Sequence, residues 1–297
     1  MNKLIVDIKR NSLDDGPGIR TVIFFKGCPL GCVWCQNPET KSPSQEISFD
    51  KNNCIECKKC LEVCDLNAIS FSNKYRIDRT ICNLCGKCIE ICLNQALKFV
   101  GKEYSVSELI EIVLKDKIFY ENSGGGVTLS GGEPTFQMDY LNEFLKELKK
   151  DNIHMVLETC GYFNLEKFKD LILPYVDIIY FDLKIYNSDL HLKYCNVPNS
   201  TILKNFEVLI QNNDVEILPR FPLIPKITAT KENLIKWVNY LKSFNIKEIG
   251  LLPYNPLWRS KANTLGIKAE YTRSDWLNKK EKAQIKSFFS DFNFKDF

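Results

Sequence analysis

Histidine is nearly absent from this chain of 297 residues: only His154 and His191 occur. The side chain that most often moves protons near neutral pH is therefore scarce, and chemistry resting on histidine acid–base catalysis is not expected. Long apolar runs are missing as well. No stretch of about 18 apolar residues occurs, so no membrane-spanning helix and no membrane partner are expected. The opening MNKLIVDIKR lacks the apolar core of a secretory signal, which places the expected localisation in the cytoplasm. A formal charge of +3 is slight, and no basic stripe is interleaved with aromatics, so nucleic acid is not an expected partner.

Cysteine is abundant instead, at 13 residues. In a chain read as cytoplasmic, disulfides explain this less well than sulfur-ligated metal or redox chemistry. With 44% hydrophobic residues the sequence reads as globular, and its length suits one large α/β domain or a domain carrying an insertion.

The cysteines fall into three blocks. In GCPLGCVWCQNPE (27–39), Cys28, Cys32 and Cys35 are spaced C-x-x-x-C-x-x-C. Tetrahedral zinc and iron–sulfur sites normally take four protein ligands, so three leave one corner for something else. A closed site holds a fold together, whereas an open one brings a ligand onto the metal. Between residues 54 and 92 the chain then repeats itself, CIECKKCLEVC followed by CNLCGKCIEIC. Both halves have the spacing C-x-x-C-x-x-C-x-x-x-C of bacterial two-cluster ferredoxins, in which the fourth cysteine of each run serves the other cluster. Cys54, Cys57, Cys60 and Cys92 are thus expected around one 4Fe–4S cluster, and Cys82, Cys85, Cys88 and Cys64 around a second. A pair of zinc sites is the weaker alternative. The proline that usually follows the fourth cysteine is Asp65 in one half and Leu93 in the other. Cys160 and Cys195 belong to no block and are expected to be buried, inert thiols.

Around these blocks, β-branched and aromatic runs alternate with amphipathic helical patterns. TVIFFKG (21–27), GVTLSGG (126–132), HMVLETCG (154–161), DIIYFDLK (177–184), VEILPRFPL (215–223) and KEIGLLPYN (247–255) read as strands. MDYLNEFLKELKK (138–150), TILKNFEVLI (201–210) and KENLIKWVNYLKSF (231–244) read as helices. Continuous apolar strands between helices argue for a parallel sheet buried on both faces, here a partial (β/α)6 barrel. Polar or glycine-rich sequence follows the strands, at the edge where parallel α/β folds build their sites. The repeated cysteine block interrupts the alternation, so residues 45–100 are expected to form an inserted ferredoxin-like domain. Residues 1–44 and 101–297 then make the core.

Taken together, DDGPGIRTVIFFKGCPLGCVWCQNPE, GGGVTLSGGEP, ETCGY, YFDLK and LLPYN resemble the activating enzymes of glycyl radical enzymes, in the radical S-adenosylmethionine (SAM) superfamily. The repeated block is similar to that of the larger members. The resemblance implies three 4Fe–4S clusters, one of them held by Cys28, Cys32 and Cys35 with its fourth iron chelated by SAM. It implies reductive cleavage of SAM to a 5′-deoxyadenosyl radical, and abstraction of a hydrogen atom from a backbone glycine of a partner glycyl radical enzyme. It implies an anaerobic setting, a flavodoxin or ferredoxin as electron donor, and a monomeric enzyme.

For the ligand site, the resemblance implies Trp34 and Gln36 beside the cluster, and Ser130, Gly131, Gly132 and Glu133 for the methionine ammonium. Glycines there let the backbone approach the ligand closely. Lys184 is expected to meet the SAM carboxylate, with Asp182 and Glu158 near its cationic part and Leu183 between them. Strand alternation puts Asp182 and Lys184 on one face. Arg220 is expected near a second carboxylate or the partner's backbone. Asn255 stands where many relatives carry histidine against the nucleoside. Asp15, Gly16, Pro17, Gly18 and Arg20 form a turn expected near the entry of the glycyl loop. Two other readings remain: a radical SAM enzyme acting on a small molecule or peptide, and a ferredoxin-type electron carrier, which would leave GGEP and the three-cysteine motif without a use.

Overall fold

The computed structural model describes residues 3–211 and 215–294. The outer ends of the expected core, residues 1 and 297, lie outside them. Ten strands form among the described residues: β1 (Leu4–Ser12), β2 (Arg20–Phe25), β3 (Glu46–Phe49), β4 (Leu97–Val100), β5 (Lys102–Glu103), β6 (Gly126–Gly131), β7 (His154–Thr159), β8 (Ile178–Asp182), β9 (Glu216–Leu223) and β10 (Gly250–Pro253). Eight of them make one sheet in the order β10-β9-β8-β7-β6-β2-β1-β5. From β2 to β10 all neighbours are parallel, and these six are the strands expected from the sequence. Their apolar residues, among them Val22, Ile23, Val127, Leu129, Leu157, Ile179 and Phe181, are fully buried, because helices cover the face that a flat sheet would expose.

Six strands laid flat would span roughly 24 Å. Yet the C-terminal ends of β6, β7, β8, β9 and β10, and the loop after β2, line a single cavity, so the sheet must curl. It does not close, since β10 and β5 are its two unpaired edges.

The three expected helices appear at Met138–Lys150, Ser200–Ile210 and Lys231–Ser243. The first buries Leu141, Phe144, Leu145 and Leu148 on one face and ends with Lys149 and Lys150, which suit the negative end of the helix dipole. The last is capped by the Thr230 side chain, which accepts a hydrogen bond from the Asn233 backbone N–H. The sequence reading missed β1, which pairs antiparallel with β2. In Leu4–Ser12 the buried positions are Leu4, Ile5 and Ser12, too few and too irregular for an alternation to stand out.

Residues between β3 and β4 fold back on themselves. The two strands pair antiparallel, from Glu46 opposite Val100 to Phe49 opposite Leu97. Ile47, Phe49, Ile69, Ile77, Ala96 and Leu97 form an apolar cluster separate from the main core. The sequence repeat is also a repeat of backbone shape. Glu56, Lys58 and Asn67 have φ of 57°, 63° and 51°, and the residues 28 positions later, Leu84, Gly86 and Gln95, have 61°, 81° and 51°. In each half the fourth cysteine sulfur accepts a backbone N–H four residues on, Ala68 to Cys64 at 3.2 Å and Ala96 to Cys92 at 3.3 Å. Lys26 ties this region to the main sheet through Glu46 (2.7 Å) and the Glu39 carbonyl (2.8 Å).

The DDGPG turn lies at the opposite end of the barrel from the expected edge, plugging it at the start of β2. Arg20, fully buried, donates to Thr128 Oγ1 (2.7 Å) and to the carbonyls of Pro17 (3.0 Å), Val127 (2.6 Å) and His154 (3.2 Å). No carboxylate is among these partners, and burial lowers its guanidinium to a pKa of about 10. Thr128 in turn donates to the Asp15 carbonyl at 2.6 Å, which holds the plug beneath the cavity. Replacing Arg20 by Met should therefore cost about 3 kcal/mol or more, because several buried acceptors lose their donor at once. A fall in the urea midpoint with an unchanged denaturant slope checks this; an unshifted midpoint would mean that water replaces the guanidinium.

Candidate active site

At the C-terminal edge of the parallel strands is a cavity of about 300 Å³. Cys28, Cys32 and Cys35 border it from the loop after β2, with Trp34 and Gln36 beside them. That loop is held at both ends. Gly27 and Cys28 donate to the carbonyls of Thr40 (2.7 Å) and Lys41 (3.1 Å), and Gly31 and Val33 donate to the carbonyls of Cys195 (2.8 Å) and Tyr194 (3.1 Å). Tyr194 and Cys195 end the helix Ser188–Cys195, so the loop amides satisfy carbonyls that a helix terminus leaves without partners. Lys41 Nζ adds a bond to the Cys32 carbonyl at 2.8 Å.

Opposite the cysteines stands a charged group contributed by three neighbouring strands. Register places Glu158 level with Tyr180, and Asp182 level with Arg220. Arg220 pairs with Glu158 and, at 2.9 Å, with Asp182, while Lys184 lies 3.4 Å from the other Asp182 oxygen. Ser130 donates its hydroxyl to Glu158, and the Arg220 guanidinium sits 5.0 Å from the centre of the Tyr180 ring. Burial alone would raise the Asp182 pKa, but the charges of Arg220 and Lys184 outweigh it and hold the carboxyl below its ordinary range. For Lys184 burial works toward the neutral amine and Asp182 toward the ammonium, and the ammonium wins. Two cations and two anions thus balance in a partly open cavity, an arrangement that can exchange partners with a zwitterionic ligand.

Between these walls run Gly131 and Gly132. A Cβ on Gly131 (φ +111°) would meet the Phe25 backbone at 2.4 Å, and one on Gly132 would meet the Gly27 carbonyl oxygen at 2.3 Å. The glycines let β6 and the cysteine loop touch, leaving the strand end as a bare backbone rim.

Three expected contacts are placed elsewhere. Glu133 is fully buried and faces away from the cavity; its carboxylate accepts from the Thr135 amide and hydroxyl (3.2 and 2.7 Å), Thr159 Oγ1 (2.9 Å) and the Cys160 amide (2.7 Å). Local hydrogen bonds of this number suffice for a carboxylate, so it pins the end of β6 to the end of β7 rather than facing a ligand. Leu183 is buried in the core, with its amide bonded to the Arg220 carbonyl. Asn255 accepts from the Leu257 amide at 2.9 Å in a turn, and β10 borders the cavity through Leu252 and Pro253 instead. His154 is half-buried beside Arg20, and His191 is buried with Nδ1 2.7 Å from the Val197 carbonyl, both structural.

Other residues complete the cavity, some from motifs already quoted and some, such as Pro222 and Ile224, from none. Asp15 reaches the cavity from the plug, and Asn37, Thr159, Pro222 and Ile224 complete its walls. Cys160 and Cys195 are buried as expected, but not remote: Cys160 contacts Cys28 and lines the cavity, and Cys195 contacts Cys32. Only the position of Cys160 at the end of β7 could have signalled this.

The repeated block contains two further cavities. Cys54, Cys57, Cys60 and Cys92 surround one, and Cys64, Cys82, Cys85 and Cys88 the other, so the fourth cysteines cross between halves. Among the described residues no three His, Cys, Asp or Glu side chains converge closely enough to hold one metal ion. A 4Fe–4S cluster takes each of four thiolates at a separate corner. In the first cavity Arg76 is buried, with Nε and Nη1 lacking any partner. Orphaned cationic donors beside four thiols fit an anionic, sulfide-bearing group there.

The curled parallel sheet with a three-cysteine loop at its C-terminal edge defines the class: the chain belongs to the radical SAM superfamily, whose family description matches residues 22–238. More narrowly, it is 39% identical over 298 residues to the trans-4-hydroxy-L-proline dehydratase activating enzyme of Clostridioides difficile, covering 99% of this chain and 98% of that one. The choline trimethylamine-lyase activating enzyme of Oleidesulfovibrio alaskensis is 38% identical over 272 residues, covering 89% and 87%. The solved structure of a radical SAM methyltransferase from Sphaerobacter thermophilus shares the fold, with a TM-score of 0.55 at 12% identity over 99% of this chain and 77% of that one. The chain is thus an enzyme of the radical SAM activating type.

The geometry separates the roles of Lys184 and Glu133. Lys184→Ala should weaken SAM binding about 10- to 100-fold, the loss of roughly 1–3 kcal/mol expected of a charge-assisted contact, with iron content intact. Glu133→Ala should instead lower thermal stability, leaving several buried donors unpaired. Calorimetric titration of SAM and thermal unfolding of both variants read the split. A Glu133→Ala protein of normal stability but no SAM affinity would return Glu133 to the ligand.

Proposed function

We propose that the protein activates a glycyl radical enzyme: that SAM binds in the 300 Å³ cavity against a 4Fe–4S cluster held by Cys28, Cys32 and Cys35. When bound there, reduced cluster and SAM supply the radical that abstracts a hydrogen atom from a backbone glycine of the partner. The observation that carries this reading is the meeting, in one cavity, of three cysteines with a balanced quartet of half-buried charges. In this reading Lys184 leaves Asp182 to hold the methionine carboxylate. Asp182 and Glu158, relieved of part of their pairing, face the ammonium and the ribose side, and Arg220 keeps both carboxylates aimed. The bare rim of Gly131 and Gly132 admits the methionine backbone, and Trp34, almost fully buried, excludes water from the cysteine side.

We further propose that residues 45–100 form a ferredoxin-like domain inserted into a core of 1–44 and 101–297, holding two more 4Fe–4S clusters. The crossed cysteine sets and the matched backbone of the two halves support it. A flavodoxin or ferredoxin is the proposed electron donor. The relatives' names say that they activate a dehydratase and a lyase, and the substrate class proposed here is the same, a glycyl radical enzyme.

Anaerobically reconstituted protein should hold about 12 irons, and replacing Cys28, Cys32 and Cys35 together should leave about 8. Reduced protein mixed with SAM and candidate glycyl radical enzymes should yield a glycyl doublet by electron paramagnetic resonance. Iron near 4 per intact chain would sink the insert reading. Deoxyadenosine formed with small molecules or peptides, and no protein radical with any candidate, would favour the other radical SAM class.

A further inference from the structure

The two cavities of the repeated block are alike in backbone and unlike in charge. The first, ringed by Cys54, Cys57, Cys60 and Cys92, is bordered by Arg76, whose side chain is 7% exposed. Its guanidinium carbon lies 3.6 Å from the centre of the Phe71 ring and 5.0 Å from that of Phe49, and both rings also border the cavity. Held between two aromatic faces, the planar group presents its edge, as arginine does when it stacks. Nη2 reaches only the exposed Glu56, at 3.6 Å, and Nε and Nη1 have no partner. A buried cation with two idle N–H donors is costly unless something anionic answers it. Arg76 itself sits at φ 64°, a left-handed backbone that non-glycine residues rarely adopt, and it has no counterpart in the second half. Of the residues lining the second cavity, the cation is Lys87, half exposed and spent on Asp65 at 2.5 Å; Arg79 lies near Cys82 but outside the lining, with Nη2 given to the carbonyls of Ile47 (3.1 Å) and Thr264 (3.3 Å).

We propose that Arg76 is a potential-setting residue: it donates N–H bonds to the sulfurs of the cluster held by Cys54, Cys57, Cys60 and Cys92, and so makes the two insert clusters unequal. Hydrogen bonds and positive charge favour the reduced, more negative form of a cluster. One electron from an external low-potential donor, such as a reduced flavin or iron–sulfur protein, therefore settles first on this cluster, whose core charge falls by one while the donor is oxidised by one; no proton or bond changes hands. Cys57 and Cys85 are both exposed, so either cluster is open to that donor and the inequality rests on Arg76. The inference rests on the two-cluster reading above and deepens it.

The test is a dithionite redox titration of the whole reconstituted protein followed by electron paramagnetic resonance. The SAM-cluster signal is identified by its change on adding SAM. Of the two remaining transitions, Arg76→Met should lower one by about tenfold in its reduction equilibrium, roughly 59 mV for one electron, and leave the other in place. Arg76→Gln, which keeps an N–H donor but drops the charge, should shift the same transition by less, and it decides the matter alone if the methionine variant loses iron. If neither transition moves by as much as twofold, roughly 18 mV, in variants that keep their iron, Arg76 sets no potential. Equal shifts in both transitions would overturn the inequality. A parent protein with only the SAM-responsive transition and about 4 irons would instead remove the two-cluster reading itself.

Discussion

Asp182 is shared by two buried cations, and most of the site follows from that sharing. Arg220 and Lys184 both point into the barrel from strands or strand ends that the parallel register sets at one level. Unpaired, either charge would be destabilising in a site that water reaches only in part. Paired through one carboxylate, with Glu158 closing the set, they leave the cavity close to neutral. Asp182 is the strongest partner of the Lys184 ammonium, and Cys32, Cys160 and Cys195 lie near it on the sulfur side. The lysine thus stands between the carboxylate wall and the cysteines, within reach of a ligand lying there.

That arrangement needs a rigid cysteine loop, and the loop is clamped by elements remote in sequence. The end of the helix Ser188–Cys195 receives its amides, residues 40 and 41 receive its beginning, and Lys261 reaches the loop's far end through Asn37 Oδ1 at 3.1 Å and Glu39 at 2.6 Å. Below, the Arg20-anchored plug fills the barrel up to Asp15. Open at the top and packed beneath, the barrel exposes one end of its cavity, and at that rim backbones approach closely at Gly131 and Gly132.

Much of this was legible in the sequence, for reasons that differ by residue. The six parallel strands could be read because doubly covered strands are continuously apolar, and the crossed grouping of the cysteines around two cavities because eight cysteines in a twice-repeated spacing follow a known crossed pattern. Ser130, Glu158, Asp182 and Lys184 were legible because polar residues at the ends of apolar strands have one direction in which to point. Glu133 was misplaced because the same motif that brings glycines to the rim also needs an acceptor to lock its turn, and spacing cannot tell which way a carboxylate turns. Cys160 and Cys195 passed as inert because their closeness to Cys28 and Cys32 arises only when β7 and the helix Ser188–Cys195 pack against the loop. Arg76 carried no signal at all, since a lone arginine between apolar residues looks like any surface charge.

The three cysteine sets also differ in how the chain supports negative charge upon them. Cys32 is almost fully buried, and burial opposes a thiolate; the hydrogen bond with Cys195 favours it most, and the charges of Lys184 and Lys41 add to that. The insert follows the other course. Cys57 and Cys85 are exposed to water, which solvates charge without help from the protein, and each half adds one amide bond to its fourth sulfur. At the barrel rim the cysteines face a cation-lined wall, where electrostatic contacts are stronger than in water. Between β3 and β4 the cysteines range from the exposed Cys57 and Cys85 to the buried Cys88, because that short excursion has only a small apolar cluster with which to cover them.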